Sequence, residues 1–222
     1  RVQEFSCTLL SLNKFVQLTL SSIMQKVYCF ITLLFMLSCA SFESKYIIEG
    51  KLKGKTYDGE FIYLVPVEGA TAETVDSVQI KDGAFRFEGD ASVPSICILR
   101  TRPLLRMELQ ELLVVTEPGT ISVILDTESS AKGTPQNEAL QLWKEQKRNS
   151  DFAYTNINQQ LLEADESKKE ELKKLQMKYD KEYSNFNYNF VKQYKHTAVG
   201  EFVYKMTGFS FTPEQKKELN SL

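Results

Sequence analysis

The hydrophobic pattern of this chain changes its period once. Between Tyr46 and Leu125, apolar residues recur at alternate positions in short runs; after Thr134 they recur every third or fourth position. A period of two makes a strand with one buried face, and a period near 3.6 makes an amphipathic helix. Strands first and helices afterwards predict a segregated α+β fold: an antiparallel β-sandwich or small barrel, then a helical hairpin and short helices. The boundaries expected are an antiparallel β domain at 39–133 and a helical region at 134–222.

Turn residues punctuate the first part. Tyr46 to Leu52 is a strand closed by Gly54, and Phe61 to Val65 is β-branched and aromatic until Pro66. Thr74 to Ile80 places Val78 and Ile80 on one face. Lys81-Asp82-Gly83 then supplies a hairpin turn, because both central positions tolerate positive φ. Phe85 and Phe87 share a face before Gly89. Further strands are expected at Ser95–Leu99, Leu112–Val115 and Thr120–Leu125, the last two separated by Glu117-Pro118-Gly119. Alternation implies that each strand buries one face and wets the other.

In the second part, Thr134-Pro135 is a helix start, with Thr as N-cap and Pro at the first helical position. Leu140, Trp143, Tyr154, Ile157 and Leu161 mark one helix, with a bend or register change expected at the polar link 147–150. Asp165-Glu166-Ser167 marks a turn. Leu172, Leu175, Tyr179, Tyr183, Phe186, Phe190 and Tyr194 form the stripe of a second, antiparallel helix. A short amphipathic helix follows over 201–206. Thr212-Pro213-Glu214-Gln215 carries a capping box at the start of a last helix, and its early stop suggests a chain that runs on.

The amino-terminal region bears on compartment. The chain opens with Arg1, and its first Met is Met24. Residues 1–23 read as an upstream extension of doubtful nativeness. Residues 24–38 read as a lipoprotein signal peptide: Met24-Gln25-Lys26 is a positive n-region, and Val27–Leu37 is an uncharged h-region too short to span a bilayer. Met36-Leu37-Ser38-Cys39 resembles a lipobox, which makes Cys39 the lipid attachment residue and the membrane a partner through that anchor. Several acyl chains on one residue would hold the protein stably. The expected location is the cell envelope, facing the periplasm or exterior. After processing at Cys39, 24 basic residues face 28 acidic ones. This balance gives no basic surplus for nucleic acid.

The run IIEGKLKG, FIYLVPVEG, DSVQIKDGAFRFEGD, TEPGTISVILD and KGTPQNEAL resembles an N-terminal β domain family of uncharacterised function from Bacteroidota envelope lipoproteins. The likeness extends over about residues 44–140. In that family the domain usually precedes a thioredoxin-like domain of the thiol-disulfide interchange or peroxiredoxin-like type. The resemblance therefore implies an accessory region that tethers such an oxidoreductase or docks its envelope protein substrates. The alternative is a stand-alone lipoprotein used as a binding or structural module.

The residues offer little reactive chemistry of their own. The single His, His196, suits a helix C-terminus and has no Cys or His partner at zinc spacing. Cys97, between Ile96 and Ile98, is expected to be a buried inert thiol. Carboxylates such as Asp76, Asp82, Asp126 and Glu128 form no acid–base pair or calcium loop. The aromatic-rich Tyr183–Tyr194 run is read as core ahead of a binding surface. No catalytic residue, cofactor or metal site is expected in the chain.

Overall fold

A computed structural model describes residues 44–222 apart from 103, 104, 106, 107 and 222. The signal at 24–38 and the lipobox Cys39 lie outside the described residues. The strands are β1 (Lys45–Leu52), β2 (Phe61–Pro66), β3 (Asp76–Gln79), β4 (Ala84–Asp90), β5 (Ser95–Arg100), β6 (Leu112–Thr116), β7 (Gly119–Leu125) and β8 (Ser130–Lys132). The helices are α1 (Pro135–Glu163), α2 (Glu166–Gln193), α3 (Ala198–Thr207) and α4 (Pro213–Ser221). The fold is α+β, with its β and helical parts segregated along the chain.

Two four-stranded sheets, ordered β4-β1-β7-β8 and β3-β2-β5-β6, face each other without closing into a barrel. All pairings are antiparallel except β1 with β7, which run parallel in register from Tyr46 opposite Gly119 to Leu52 opposite Leu125. Ile48, Phe87, Ile121 and Val123 of the first sheet meet Ile62, Leu64, Leu99 and Val114 of the second in one buried core.

The second sheet departs from simple alternation. Ile96 and Val115, on its opposite face, pack with Leu140, Trp143, Phe190, Val199 and Val203 of the helices in a second core. The layers are thus sheet, sheet and helices. The near-continuous apolar runs Ile96–Leu99 and Leu112–Val115 follow from burial on both faces. The first sheet keeps the expected pattern, with Phe85 and Phe87 buried while Arg86 and Glu88 are exposed.

The Asp82-Gly83 turn also differs from a simple hairpin. Both residues have positive φ, 53° and 68°. Lys81 and Ala84 exchange two backbone hydrogen bonds of 3.0 Å. Beyond that bridge the strands separate: β3 pairs with β2, and β4 pairs with β1. The turn is a corner between sheets. Asp58 holds it by accepting from the N–H groups of Asp82 (3.0 Å) and Gly83 (2.8 Å). A Cβ on Gly83 would lie 2.2 Å from the Gly54 carbonyl oxygen.

Helix starts follow local chemistry. Thr197 Oγ1 caps α3 by accepting from Gly200 N–H, and Thr212 with Gln215 completes a reciprocal capping box at α4. Asp165 caps α2 through Lys168 N–H. The helix α1 continues unbroken through 147–150. After Trp143, Ile157 is its only buried residue.

Replacing Gly83 with Ala combines unfavourable φ with a backbone clash and should cost about 1–3 kcal/mol. Urea denaturation would show the loss as a lowered midpoint; an unchanged midpoint would contradict the corner geometry.

Candidate functional site

The site grows from the junction of β6 with α1. The strand β6 is the edge of its sheet, and one side of its backbone lacks a strand partner. Asn137 supplies one. Val115 N–H donates to Asn137 Oδ1 at 2.9 Å, and Asn137 Nδ2 donates to the Val115 carbonyl at 2.8 Å and to Thr134 Oγ1 at 2.8 Å. Thr134 stands at the N-cap position, but its side chain accepts no helix N–H. That task falls to Glu117, whose buried carboxylate accepts from the N–H groups of Gln136 (2.6 Å) and Asn137 (3.1 Å). A carboxylate at a helix start meets unsatisfied donors and the positive end of the dipole. Gln136 Oε1 then accepts Val199 N–H at 3.2 Å and ties α3 to the same junction.

Docking α1 in this way leaves an open cleft of about 740 Å³ between β6, β8, α1 and α3. Leu113, Trp143, Phe202 and Met206 provide its apolar lining. Ser129 stiffens one rim: its Oγ donates to the Gln110 carbonyl (2.8 Å), and its N–H donates to Gln110 Oε1 (3.0 Å). Arg148 and Glu128 form an ion pair at 2.7 Å, and Lys147 pairs with Asp151 at 2.6 Å.

The polar wall carries buried groups without hydrogen-bond partners. Lys144 Nζ is shielded from solvent and has none, and neither does Gln141 Oε1. Gln141 Nε2 donates to Glu145 at 2.9 Å, which fixes the orientation of its carboxamide. Nearby Glu111 lies 3.4 Å from Arg100 in an ion pair. Burial lowers the Lys144 ammonium to about 8 from 10.5, with the Glu145 carboxylate acting weakly the other way. A group of this kind is costly unless something pairs with it.

The other candidates occupy structural places. Cys97 is buried in β5 between the sheets, and burial raises its thiol above the usual range. His196 is exposed after α2. Phe190 is buried, while Tyr183, Phe186 and Tyr194 are half-buried, so the near end of the aromatic stripe serves the core. Leu175 and Tyr179, farther out, are exposed at 38% and 37%. Asp82 is the corner residue and pairs with Lys55. Among the described residues, no cluster of three or more His, Cys, Asp or Glu could hold a metal, and no helix is long and apolar enough to cross a membrane.

Lys144 was not singled out in the sequence, although a signal was present. It lies seven residues from Asn137 and four from Leu140, on the docked face of α1.

Residues 46–140 match a family model described as Domain of unknown function (DUF4369). No curated protein and no solved structure matches the chain. The matched segment ends at Leu140, within the first turns of α1. It thus includes Glu117, Thr134 and Asn137, the residues that dock the helix.

The position of Lys144 has a measurable consequence. Its pKa is near 8 when folded and near 10.5 when unfolded. Between those values the unfolded chain binds more protons, so stability attributable to Lys144 rises with pH across that window. Below pH 8 both states are protonated and the full cost remains. Lys144→Met keeps the packed stem and removes the charge; it should stabilise the fold at pH 7 by about 1–3 kcal/mol. The gain should shrink from pH 8 to 10.5. Urea midpoints of both proteins across that range check this, and a pH-independent difference would contradict the assignment.

Proposed function

We propose that the chain is the membrane-tethered, non-catalytic accessory region of a thioredoxin-like thiol-disulfide oxidoreductase of the cell envelope. In this reading Cys39 carries the lipid, and the folded part positions the redox domain or docks its protein substrates. The observation that carries the proposal is the family match beginning at Tyr46, close behind the lipobox-like Met36–Cys39. The burial of Cys97 also supports it: a thiol whose pKa is raised in an apolar strand is a poor nucleophile for disulfide exchange.

Expression in a bacterium fed a clickable palmitate analogue tests the anchor. The chain should label and sediment with membranes, and Cys39→Ala should abolish both; labelling that survives the substitution would overturn the anchor. The non-catalytic role predicts no insulin reduction by this chain above the rate with dithiothreitol alone. Robust reduction would overturn it.

A second reading, a stand-alone envelope lipoprotein acting as a binding module, is favoured by the cleft with its unpartnered ammonium. The reading frame following codon 222 separates the two. A W-C-x-x-C motif in a further domain supports the oxidoreductase parent, and a stop codon supports the stand-alone module.

A further inference from the structure

The geometry points to the cleft between β6, β8, α1 and α3 as a binding site for the free C-terminal end of a peptide with an apolar last residue. This inference depends on neither the lipid anchor nor a redox parent.

Charge selects an anion. At the rim, Arg148 and Lys147 are neutralised by Glu128 and Asp151, and Glu111 by Arg100. Among the described residues, two cations, Lys132 and Lys144, line the cleft without an ion pair, against one such carboxylate, Glu145, which accepts from Gln141 Nε2. Lys132 is exposed at the mouth, whereas the Lys144 ammonium lies within the wall. The long, flexible stem of Lys144 lets the ammonium turn out of the wall toward a ligand carboxylate. Pairing there satisfies a cation that otherwise has no acceptor.

Hydrogen bonding narrows the anion. Gln141 precedes Lys144 by one helical turn and presents a buried acceptor, Oε1, that receives no hydrogen bond. Side chains at this spacing start about 5–6 Å apart at Cβ, so a ligand that fits both groups offers a carboxylate with an N–H donor close beside it. A peptide's terminal carboxylate and the amide N–H of the same residue have that relation. One such ligand satisfies both polar atoms that otherwise lack a partner.

The apolar lining supplies the third contact. Phe202 is half-buried and Met206 is 51% exposed, both on α3 and both lining the cleft. A leucine or phenylalanine side chain at the last position covers that surface, and methionine adapts to either. Rigid support comes from Ser129 and Gln110 on one side and from Asn137 and Glu117 beneath α1.

Trp143 is the only tryptophan of the chain and lines the cleft, so its fluorescence reports occupancy. The full chain is titrated with N-acetyl-leucyl-leucine, its C-terminal amide and octanoate, each followed by fluorescence and calorimetry. The free acid should saturate. The amide lacks the charge and octanoate lacks the N–H, and each should bind at least about tenfold more weakly. Lys144→Met should lose about tenfold for the acid while unfolding no earlier than wild type, which separates lost recognition from lost fold. Gln141→Leu should reduce the preference for the peptide over octanoate. Absence of saturation by the acid, equal binding of acid and amide, or unaltered binding by Lys144→Met would each overturn the site. Octanoate binding as tightly as the peptide would overturn the peptide assignment.

Discussion

The architecture rests on a side chain that behaves as backbone. Asn137 occupies both hydrogen-bonding groups of Val115 on the open edge of β6, as a neighbouring strand would. An edge strand otherwise presents unpaired donors and acceptors to any passing chain. Here the edge is closed from the first turn of α1, so covering the sheet and orienting the helix are one event. Glu117 fixes the other half of the junction by occupying the free N–H groups of that same turn. Because both contacts lie at one end of α1, they set the direction in which the helix leaves the sheet. That direction places Trp143 in the second core and Lys144 in the cleft.

The second sheet is the central layer as a result. One face meets the first sheet and the other meets the helices, so β5 and β6 have no wetted side to speak of. The first sheet remains two-faced, and its outer side carries the Arg86 ion pairs with Glu49 and Glu88 at 3.1 Å. Those pairs are half exposed and contribute little to stability. Cohesion of the sandwich comes from the apolar interior and from the Asp82-Gly83 corner, where a single turn carries the chain from one sheet to the other under the grip of Asp58.

Much of this organisation is visible in the sequence, for physical reasons that are local. The change of hydrophobic period separates strands from helices. Asp-Gly marks a turn requiring positive φ, Thr-Pro marks a helix start, and Thr212 with Gln215 marks a capping box, because each depends on neighbours a few residues away. What was hidden depends on distant partners. Nothing near Asp82-Gly83 reveals that β4 joins β1 and abandons β3, or that β1 and β7 run parallel. Glu117 reads as a turn residue until α1 is placed against it, and Thr134 reads as the cap that Glu117 supplies. The doubly buried strands were legible in principle: Ile96–Leu99 and Leu112–Val115 are apolar throughout, which contradicts a wet face. Lys144 was masked by the polar run 144–149, since composition there describes a solvated surface while helical spacing from Asn137 describes a docked one.

The presence of a buried ammonium at Lys144 is the strongest argument that the cleft has a use. A methionine there would fill the same space, continue the apolar lining from Trp143 to Met206 and avoid the burial of charge. Folding alone gives no reason for an ammonium without an acceptor, or for an adjacent carboxamide oxygen without a donor. Groups that lower stability in the empty state become favourable when a ligand brings the complementary atoms, and the difference between the two states is available as binding energy. The same reasoning gives selectivity. An uncharged ligand of equal shape would leave the ammonium unpaired in a wall now closed from water, so discrimination arises from the penalty on the wrong ligand as much as from attraction to the right one.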